Sequence, residues 1–254
     1  MTALHAAFSD LHCGNRGYRD RSEPGLLFRL VDDVTACGVT DLWALGDIFE
    51  RMKFSANAIM NDRERLNLTT WRIVAGRCNR AGITLHLLPG NHDENAVAEF
   101  LPWLTNTIGF VHPIGHDATV TVGPFTLMHG DCFDAACAEA SKVHEVAQAA
   151  TWIAANTIER VMPWFPEKVF NPVAWFSPAA NATRAGAIGE LAKAYAKQGG
   201  LRIVCGHTHQ HDIEGGLNDD GKYWQYVNCG AMSDGAPYSW CLFDEQGHAQ
   251  LVRE

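Results

Sequence analysis

The chain has 254 residues, of which 47% are hydrophobic and 19% charged, so it can bury the core of one large domain and is neither disordered nor fibrous. Its net charge of −9, from 20 Lys and Arg against 29 Asp and Glu, argues against stable nucleic-acid binding, which needs a basic surface. No apolar run reaches the roughly 18 residues of a membrane span, and residues 1–10 do not resemble a signal peptide. The eight cysteines contain no CxxC pair, so we expect a cytoplasmic protein with reduced thiols.

The first third of the chain alternates apolar strands with helical segments. Short apolar runs predict strands at Leu4–Phe8, Leu42–Leu45 and Ile83–Leu88. Helical spacing of apolar residues predicts helices at Gly25–Cys37 and Ala56–Ala81. This order of strand, helix, strand, helix and strand is typical of a parallel α/β sheet.

The remainder of the chain has a different pattern. Thr119–Val122 and Phe125–Met128 flank a Gly-Pro turn and predict a hairpin, and Leu201–Cys205 predicts another buried strand. Three later segments are predicted as antiparallel strands, namely Tyr223–Asn228, Ser239–Phe243 and Ala249–Val252. We therefore expect one α/β domain over residues 1–254, with two packed sheets interrupted by a helical insertion at about 132–199.

The insertion is rich in large aromatic residues. Apolar residues at helical spacing predict a helix over 135–162, which Pro163 and Pro166 end. Six large rings crowd into 25 positions: Trp152, Trp164, Phe165, Phe170, Trp175 and Phe176. They either bury the insertion against the sheets or line an apolar slot for an acyl chain, a base or a sugar. The second alternative would make the insertion a cap that selects the substrate and could contact a membrane peripherally.

Residue types that bind metals follow five of the predicted strands. The five segments are Asp10-Leu11-His12, Gly46-Asp47, Gly90-Asn91-His92-Asp93, His129-Gly130-Asp131 and Gly206-His207-Thr208-His209. Ligands of parallel α/β sheets bind at the carboxyl ends of the strands, so these segments can converge. Residues two apart in an extended segment point the same way, so Asp10 with His12, and His207 with His209, can each face one ion.

Each of these residues also has an ordinary structural role when it is taken alone. A single histidine at a strand end is usually a satisfied polar residue, and Asp47 or Asn91 could cap a turn or a helix. A purely structural origin of the whole set is disfavoured, because every segment follows an apolar strand and four have a glycine at the turn. The mixture of carboxylates, imidazoles and one amide suits Mn, Fe, Co or Zn better than Ca.

In this order the segments resemble those of the calcineurin-like metallophosphoesterase superfamily, from Asp10 to His209. The resemblance implies an αββα fold, which is a two-sheet β-sandwich flanked by helices, and two bound divalent metal ions, with Mn favoured. It implies that the first ion is held by Asp10, His12, Asp47 and His209. It implies that the second ion is held by Asp47, Asn91, His129 and His207, with Asp47 bridging the two.

Such a pair of ions suits the hydrolysis of phosphoesters. Two cations about 3.5–4 Å apart can stabilise both the attacking and the leaving oxygen of an in-line displacement. They also lower the pKa of a shared water, which then becomes the nucleophile near neutral pH. We therefore expect a binuclear metallophosphoesterase that acts on a small phosphorylated substrate.

Three further residues are candidates for catalysis. His92 follows a predicted ligand, and the family resemblance makes it an electrostatic helper or a general acid. Asp93 either orients His92 or caps a helix that begins near Glu94. Arg51 stands four residues after Asp47, which resembles the phosphate-binding arginine of protein-phosphatase-type members, although a solvated loop arginine is the alternative.

The substrate is less narrowly predicted than the chemistry. Residues 46–50, 129–131 and 226–230, together with the insertion, resemble the UDP-2,3-diacylglucosamine pyrophosphatases of lipid A synthesis, although several of those enzymes have Arg at the position of His92. The first hypothesis is therefore a nucleotide-sugar or lipid-linked pyrophosphate. A phosphoprotein or nucleotide phosphomonoesterase is the second hypothesis. A non-catalytic interaction module is the third, and the intact set of ligand residues argues against it.

Overall fold

The computed structural model describes residues 3–12, 24–49, 67–93, 111–113, 119–134, 178–233 and 236–254. These residues form eleven strands, three helices and a short 3₁₀ turn at Asp131–Phe133. The helices are α1 (Pro24–Ala36), α2 (Asn67–Arg80) and α3 (Pro178–Gly199). The strands are β1 (Leu4–Phe8), β2 (Asp41–Leu45), β3 (Thr84–Leu88), β4 (Val111–Pro113), β5 (Val120–Val122), β6 (Phe125–Leu127), β7 (Arg202–Cys205), β8 (Asp212–Leu217), β9 (Tyr223–Asn228), β10 (Ser239–Asp244) and β11 (Ala249–Arg253).

The strands form two mixed sheets. The first sheet has the order β11-β10-β1-β2-β3-β4, in which β1 to β4 run parallel to one another. The second sheet has the order β5-β6-β7-β9-β8, in which β6, β7 and β9 run parallel. The prediction of an α/β fold with two sheets is confirmed.

The alternation of side chains along the strands explains why both faces of the first sheet are covered. Leu42 and Ala44 of β2 pack with helices α1 and α2. Their neighbours Trp43 and Leu45 point instead into the space between the two sheets. Because successive residues of a strand point to opposite faces, an almost wholly apolar strand requires cover on both sides.

Helices α1 and α2 cover the outer face of the first sheet with apolar stripes at helical spacing. The buried positions are Leu27, Leu30, Val31 and Val34 in α1, and Trp71, Val74, Ala75 and Cys78 in α2. Full burial of a side chain such as Leu30 contributes about 1.5–3 kcal/mol. The predicted Gly25–Cys37 helix is confirmed, and the predicted Ala56–Ala81 helix is observed over Asn67–Arg80, with residues 56–66 outside the described part.

Helix α3 covers the outer face of the second sheet. Its Ala192 and Ala196 pack against Ile203 of β7 and Tyr226 of β9. The carboxyl-terminal part of the predicted insertion therefore provides the fourth layer, α-β-β-α.

The predicted helix over 135–162 and the six aromatic residues lie outside the described residues. None of the described helices combines the length and apolar character that crossing a membrane requires.

Two strand predictions need correction. Strand β9 was expected to pair only in the antiparallel sense, but it runs parallel to β7 and antiparallel to β8. Strand β8 was not predicted, because it is a mostly exposed edge strand and contains Gly215 and Gly216, which weaken the apolar alternation. The antiparallel pairing of β10 with β11 is confirmed.

Candidate metal centre

All five segments with metal-binding residue types leave their strands at the carboxyl end, and the two sheets bring them together. The candidate residues follow β1, β2, β3, β6 and β7, in that order, as Asp10 with His12, Asp47, Asn91, His129, and His207 with His209. Groups of these side chains place one ligand atom each within 4.8 Å of one another. Each of the five segments contributes at least one residue to these groups, and the groups share His12 and Asp47.

The first group of ligand atoms lies around His12. Its Nε2 atom is 3.1 Å from His209 Nε2 and 3.9 Å from Asp10 Oδ1. His209 Nε2 is in turn 3.3 Å from Asp10 Oδ1. Asp47 Oδ2 is 3.9 Å from His12 Nε2 and completes the set predicted for the first ion.

The second group lies around His129. Its Nε2 atom is 3.2 Å from Asn91 Oδ1, 3.3 Å from Asp47 Oδ2 and 3.2 Å from His207 Nδ1. Its other ring nitrogen, Nδ1, donates a hydrogen bond of 2.7 Å to the Leu45 carbonyl. In the neutral ring this leaves Nε2 with a free lone pair that faces the group.

The carboxylate of Asp47 is shared between the two groups. Its Oδ2 atom faces both His129 and His12, whereas its Oδ1 atom accepts a hydrogen bond of 2.8 Å from the His92 backbone N–H. That hydrogen bond orients the carboxylate. The Oδ2 atom of Asp47 therefore belongs to the surroundings of both groups.

The spacing and burial of these atoms fit divalent metal ions. Ligand atoms about 2.1 Å from a shared ion lie roughly 3.0–3.4 Å from each other, and the shortest separations here are 3.1–3.3 Å. Asp10 is fully buried, and its Oδ1 atom faces His209 Nε2 at 3.3 Å without hydrogen-bond geometry to any of the described residues. A buried carboxylate oxygen without a hydrogen bond is costly unless a cation compensates it.

The backbone of the centre is strained in the same places. Asp10, His12, Asp47, His207 and His209 all have positive φ, between 49° and 70°. They are the only non-glycine residues of the described chain with this conformation, which costs about 1–2 kcal/mol per residue. Such strain is concentrated at functional sites because it aims side chains. Asp10 and His12 thus share a site through left-handed loop backbone and not through the extended segment that we predicted.

Two glycines allow the loops to approach closely. A Cβ atom on Gly90 would lie 2.6 Å from the Asp47 backbone N and 2.8 Å from His129 Cδ2. A Cβ atom on Gly46 would lie 2.5 Å from His129 Nδ1. All three distances are far below a normal contact, so any side chain at these two positions would displace the predicted ligands.

The charges of the centre are strongly coupled. Burial opposes ionisation of Asp10, yet the neighbouring His209 lowers the pKa of its carboxyl group to about 2. Burial likewise opposes the charged form of His129, yet Asp47 and Asp10 raise the pKa of its imidazole to about 10. The pKa of Asp47 lies well below its usual value, despite burial, because His129 and His92 stand beside it. The carboxylates thus remain anionic and attract positive charge.

Asp93 joins two loops of the centre, a role that we did not predict. Its buried carboxylate accepts hydrogen bonds from the backbone N–H groups of Ile48, Phe49 and Gly90, at 3.3, 2.8 and 2.9 Å. It therefore ties the loop after β2 to the loop after β3. These loops carry Asp47 and Asn91, so Asp93 fixes the distance between them.

His92 lies at the more exposed side of the centre. Its Nε2 atom is 4.0 Å from Asp47 Oδ2, and its side chain is 23% exposed, compared with 5% for His12. The His92 ring meets the His12 ring edge-on, with centroids 4.8 Å apart. Arg51 lies outside the described residues.

Sequence reasoning missed two supporting residues, Asn228 and Asp134. Asn228 Nδ2 donates to the Gly206 carbonyl at 2.6 Å and lies 3.1 Å from Thr208 Oγ1, so it holds the loop that carries His207 and His209. Asp134 Oδ2 is 3.2 Å from His207 Nε2. A polar residue at the end of an apolar strand was the available signal for Asn228. An isolated aspartate gave no comparable signal for Asp134.

Two adjoining groups of imidazole, carboxylate and amide side chains at the carboxyl ends of strands in two sheets have the composition and spacing of a metal-dependent hydrolase centre. The profile of calcineurin-like phosphoesterases matches residues 6–211. The chain therefore belongs to the calcineurin-like phosphoesterase family, as its motifs predicted. Membership supports metal-dependent hydrolysis of phosphoester bonds.

Several solved structures are similar to the chain at low sequence identity. An archaeal phosphodiesterase is 12% identical, with 99% of each chain covered and a TM-score of 0.48. A dimetal phosphatase from Danio rerio is 14% identical, with 99% of each chain covered and a TM-score of 0.43. No curated protein matches the chain significantly.

Proposed function

We propose that this protein is a binuclear metallophosphohydrolase. The observation that carries the proposal is the position of Asp47 Oδ2, which is 3.3 Å from His129 Nε2 on one side and 3.9 Å from His12 Nε2 on the other. One carboxylate can therefore serve both ligand groups. The bound ions would supply Lewis acidity toward the phosphoryl oxygens and would lower the pKa of water at the site.

The residues would divide between the two ions as the family resemblance implies. Asp10, His12, Asp47 and His209 would hold one ion. Asp47, Asn91, His129 and His207 would hold the other. These nitrogen and oxygen donors suit borderline ions, so we propose Mn²⁺, with Fe, Zn or Co as alternatives.

His92 is the proposed proton donor to the leaving oxygen. Its backbone N–H is fixed by Asp47 Oδ1, while its ring lies at the more exposed side, which a substrate can reach. A general acid must stand within hydrogen-bond reach of the leaving group, and a histidine can give up its proton near neutral pH. Arg51 is proposed to bind the phosphate, on the basis of its spacing from Asp47.

The proposed substrate is a small phosphorylated molecule of the cytoplasm, first of all a nucleotide-sugar or lipid-linked pyrophosphate. Support comes from the sequence segments shared with the diacylglucosamine pyrophosphatases and from the aromatic residues of 152–176. Such rings suit a base, a sugar or an acyl chain. A phosphomonoesterase is the second candidate, and the spacing of Arg51 favours it.

One combined experiment tests the proposal. The purified protein is analysed for bound metal and assayed with p-nitrophenyl phosphate, bis-p-nitrophenyl phosphate and a UDP-sugar. We expect about two ions per chain and metal-dependent hydrolysis, with the UDP-sugar preferred by a pyrophosphatase and the monoester preferred by a phosphatase. Absence of bound metal, or hydrolysis that persists after chelation, would contradict the proposal.

A further inference from the structure

The two histidines of the second ligand group are anchored through their outer ring nitrogens. His129 Nδ1 donates to the Leu45 carbonyl at 2.7 Å. His207 Nε2 lies 3.2 Å from Asp134 Oδ2 on the side away from the group, while its Nδ1 faces His129 Nε2 at 3.2 Å. One anchor is backbone and the other is a side chain, so only the second can be removed by mutation.

The contact with Asp134 decides which nitrogen of His207 can bind a metal. A neutral imidazole carries one proton, and a carboxylate oxygen can only accept it. The proton therefore resides on Nε2, and Nδ1 keeps the lone pair that points into the ligand group. Metal-binding histidines generally donate their second N–H in this way, and the partner sets both the tautomer and the ring orientation.

Asp134 is itself held in place from two directions. It is 4% exposed and follows the 3₁₀ turn Asp131–Phe133, where its backbone N–H donates to the Asp131 carbonyl at 2.9 Å. Arg184 of helix α3 donates a short hydrogen bond to the same Oδ2 atom that faces His207. A chain of contacts thus leads from α3 through Asp134 to a predicted ligand.

We infer that Asp134 is a positioning residue that fixes the tautomer and orientation of His207, and that Arg184 links helix α3 to the metal centre through it. The inference rests on the proposed function, because it assumes that His207 binds an ion. It assigns a role to α3 beyond covering the second sheet. Correct packing of α3 would support the second metal position through the Arg184–Asp134 contact.

The competing explanation is an ordinary ion pair that pins α3 to the second sheet. The chain offers a matched example in Arg77 and Asp32, where Nη1 is 3.2 Å from Oδ1 in a pair between α2 and α1. The Asp32 side chain is 72% exposed, whereas that of Asp134 is 6% exposed and also faces an imidazole. An ordinary pair would affect stability without affecting metal affinity.

The test is a manganese titration of Asp134→Ala, Asp134→Asn and the control Asp32→Ala, with free Mn²⁺ buffered by a chelator. We expect Asp134→Ala to weaken one of the two ions by roughly 10–100-fold, the usual effect of losing an outer partner of a metal-binding histidine. The other ion should keep its affinity. Asp134→Asn should recover part of the loss, because its amide oxygen can accept the Nε2 proton, and Asp32→Ala should bind both ions normally.

Arg184→Ala supplies a second, milder variant. We expect it to weaken the same ion by less than about tenfold, because the Arg184 side chain is 54% exposed and its ion pair is screened by solvent. Its effect should largely disappear in the Asp134→Ala background, since the two residues act through one contact. If the losses of metal affinity were additive in the Asp134→Ala/Arg184→Ala double variant, the inferred link between α3 and His207 would be wrong.

A spectroscopic readout makes the result independent of activity. In the zinc-loaded protein, the ¹⁵N shifts of the His207 ring should show a proton on Nε2, and Asp134→Ala should broaden or shift that signal. If the wild type binds no ion, the proposed function fails. If the wild type binds two ions and Asp134→Ala binds both with unchanged affinity and an unchanged His207 spectrum, the inference fails alone. If Asp134→Ala does not fold, the manganese titration and the His207 ¹⁵N spectrum of Asp134→Asn and Arg184→Ala test the inference instead.

Discussion

The parallel strands carry histidine and aspartate at both ends, and the two ends differ in what these residues do. Toward the amino ends lie His5 of β1 and Asp41 of β2, and His86 in the middle of β3 joins them through its ring. His86 Nε2 is 2.8 Å from Asp41 Oδ1, and His5 Nδ1 is 3.7 Å from Asp41 Oδ2. The carboxyl ends carry the candidate metal centre. Residue types alone do not distinguish the two ends.

Geometry does distinguish them. At the amino end the rings pack against aromatic side chains, His86 on Trp43 with centroids 3.8 Å apart and His5 on Phe243 at 5.3 Å. Among the described residues, those that could hold a metal together all belong to the carboxyl end, as do all non-glycine residues with positive φ. Convergent ligand atoms on a strained backbone therefore mark the functional end, and stacked rings on regular strands mark a structural one.

The largest expected contrast comes from changing one aspartate at each end to asparagine. Asp47→Asn should lose metal and nearly all hydrolytic activity, because Oδ2 is shared between the two ligand groups. Asp41→Asn should keep its bound metal and its hydrolytic activity. We expect it to lose only about 1 kcal/mol in the free energy of unfolding. Metal content and turnover of the two variants check this. Two bound ions and normal turnover in Asp47→Asn would refute the assignment of the centre.

A histidine can be removed at each end in the same way. His92→Ala should lower kcat by roughly 10²–10⁴-fold, the range for a general acid–base group, while retaining metal. His86→Ala at the amino end should leave kcat unchanged. Steady-state kinetics with metal analysis separate these outcomes. Loss of an ion from His92→Ala would make His92 a ligand, which its place in a group with His12 and Asp47 permits geometrically.

A smaller effect is expected from a residue that supports the carboxyl end without facing the ions. Asn228→Ala would remove the hydrogen bond to the Gly206 carbonyl, which keeps its bond from the Thr208 N–H, and would leave the Gly230 N–H without its partner. One such unsatisfied group costs about 1–3 kcal/mol. Metal affinity should fall together with stability, because Asn228 holds the loop that carries His207 and His209. The control is Gln225→Ala on the same strand, since Gln225 Oε1 makes no hydrogen bond to any of the described residues. If Asn228→Ala and Gln225→Ala bound metal with equal affinity in buffer without denaturant, Asn228 would not support the metal-binding loop.

Much of the fold was predictable from the sequence because buried strands in this molecule are short apolar runs. Strand β1 was predicted with its observed bounds, and β9 likewise, although its pairing direction was not. Pairing direction depends on contacts between distant segments, which periodicity does not encode. The exposed strand β8 was missed because its side chains lack an apolar face.

The candidate centre was predictable only in part, for a similar reason. The positions of Asp10 and His207 after apolar strands indicated convergence, since carboxyl ends of strands meet. The left-handed backbone at these residues was not predictable, because only a small fraction of non-glycine residues adopt it and no local pattern marks which ones do. Asp134 and Asn228 act through hydrogen bonds with other loops, and a single aspartate or asparagine has many ordinary roles.

The most direct test of the two-ion centre is electron paramagnetic resonance of the manganese-loaded protein during a metal titration. The shared position of Asp47 Oδ2 predicts that two Mn²⁺ ions bind per chain and are magnetically coupled, giving the multiline spectrum of a close pair at full occupancy. Asp47→Asn should abolish that coupling. A spectrum of isolated Mn²⁺ at two equivalents in the wild-type protein, or saturation at a single ion, would contradict a centre bridged by Asp47.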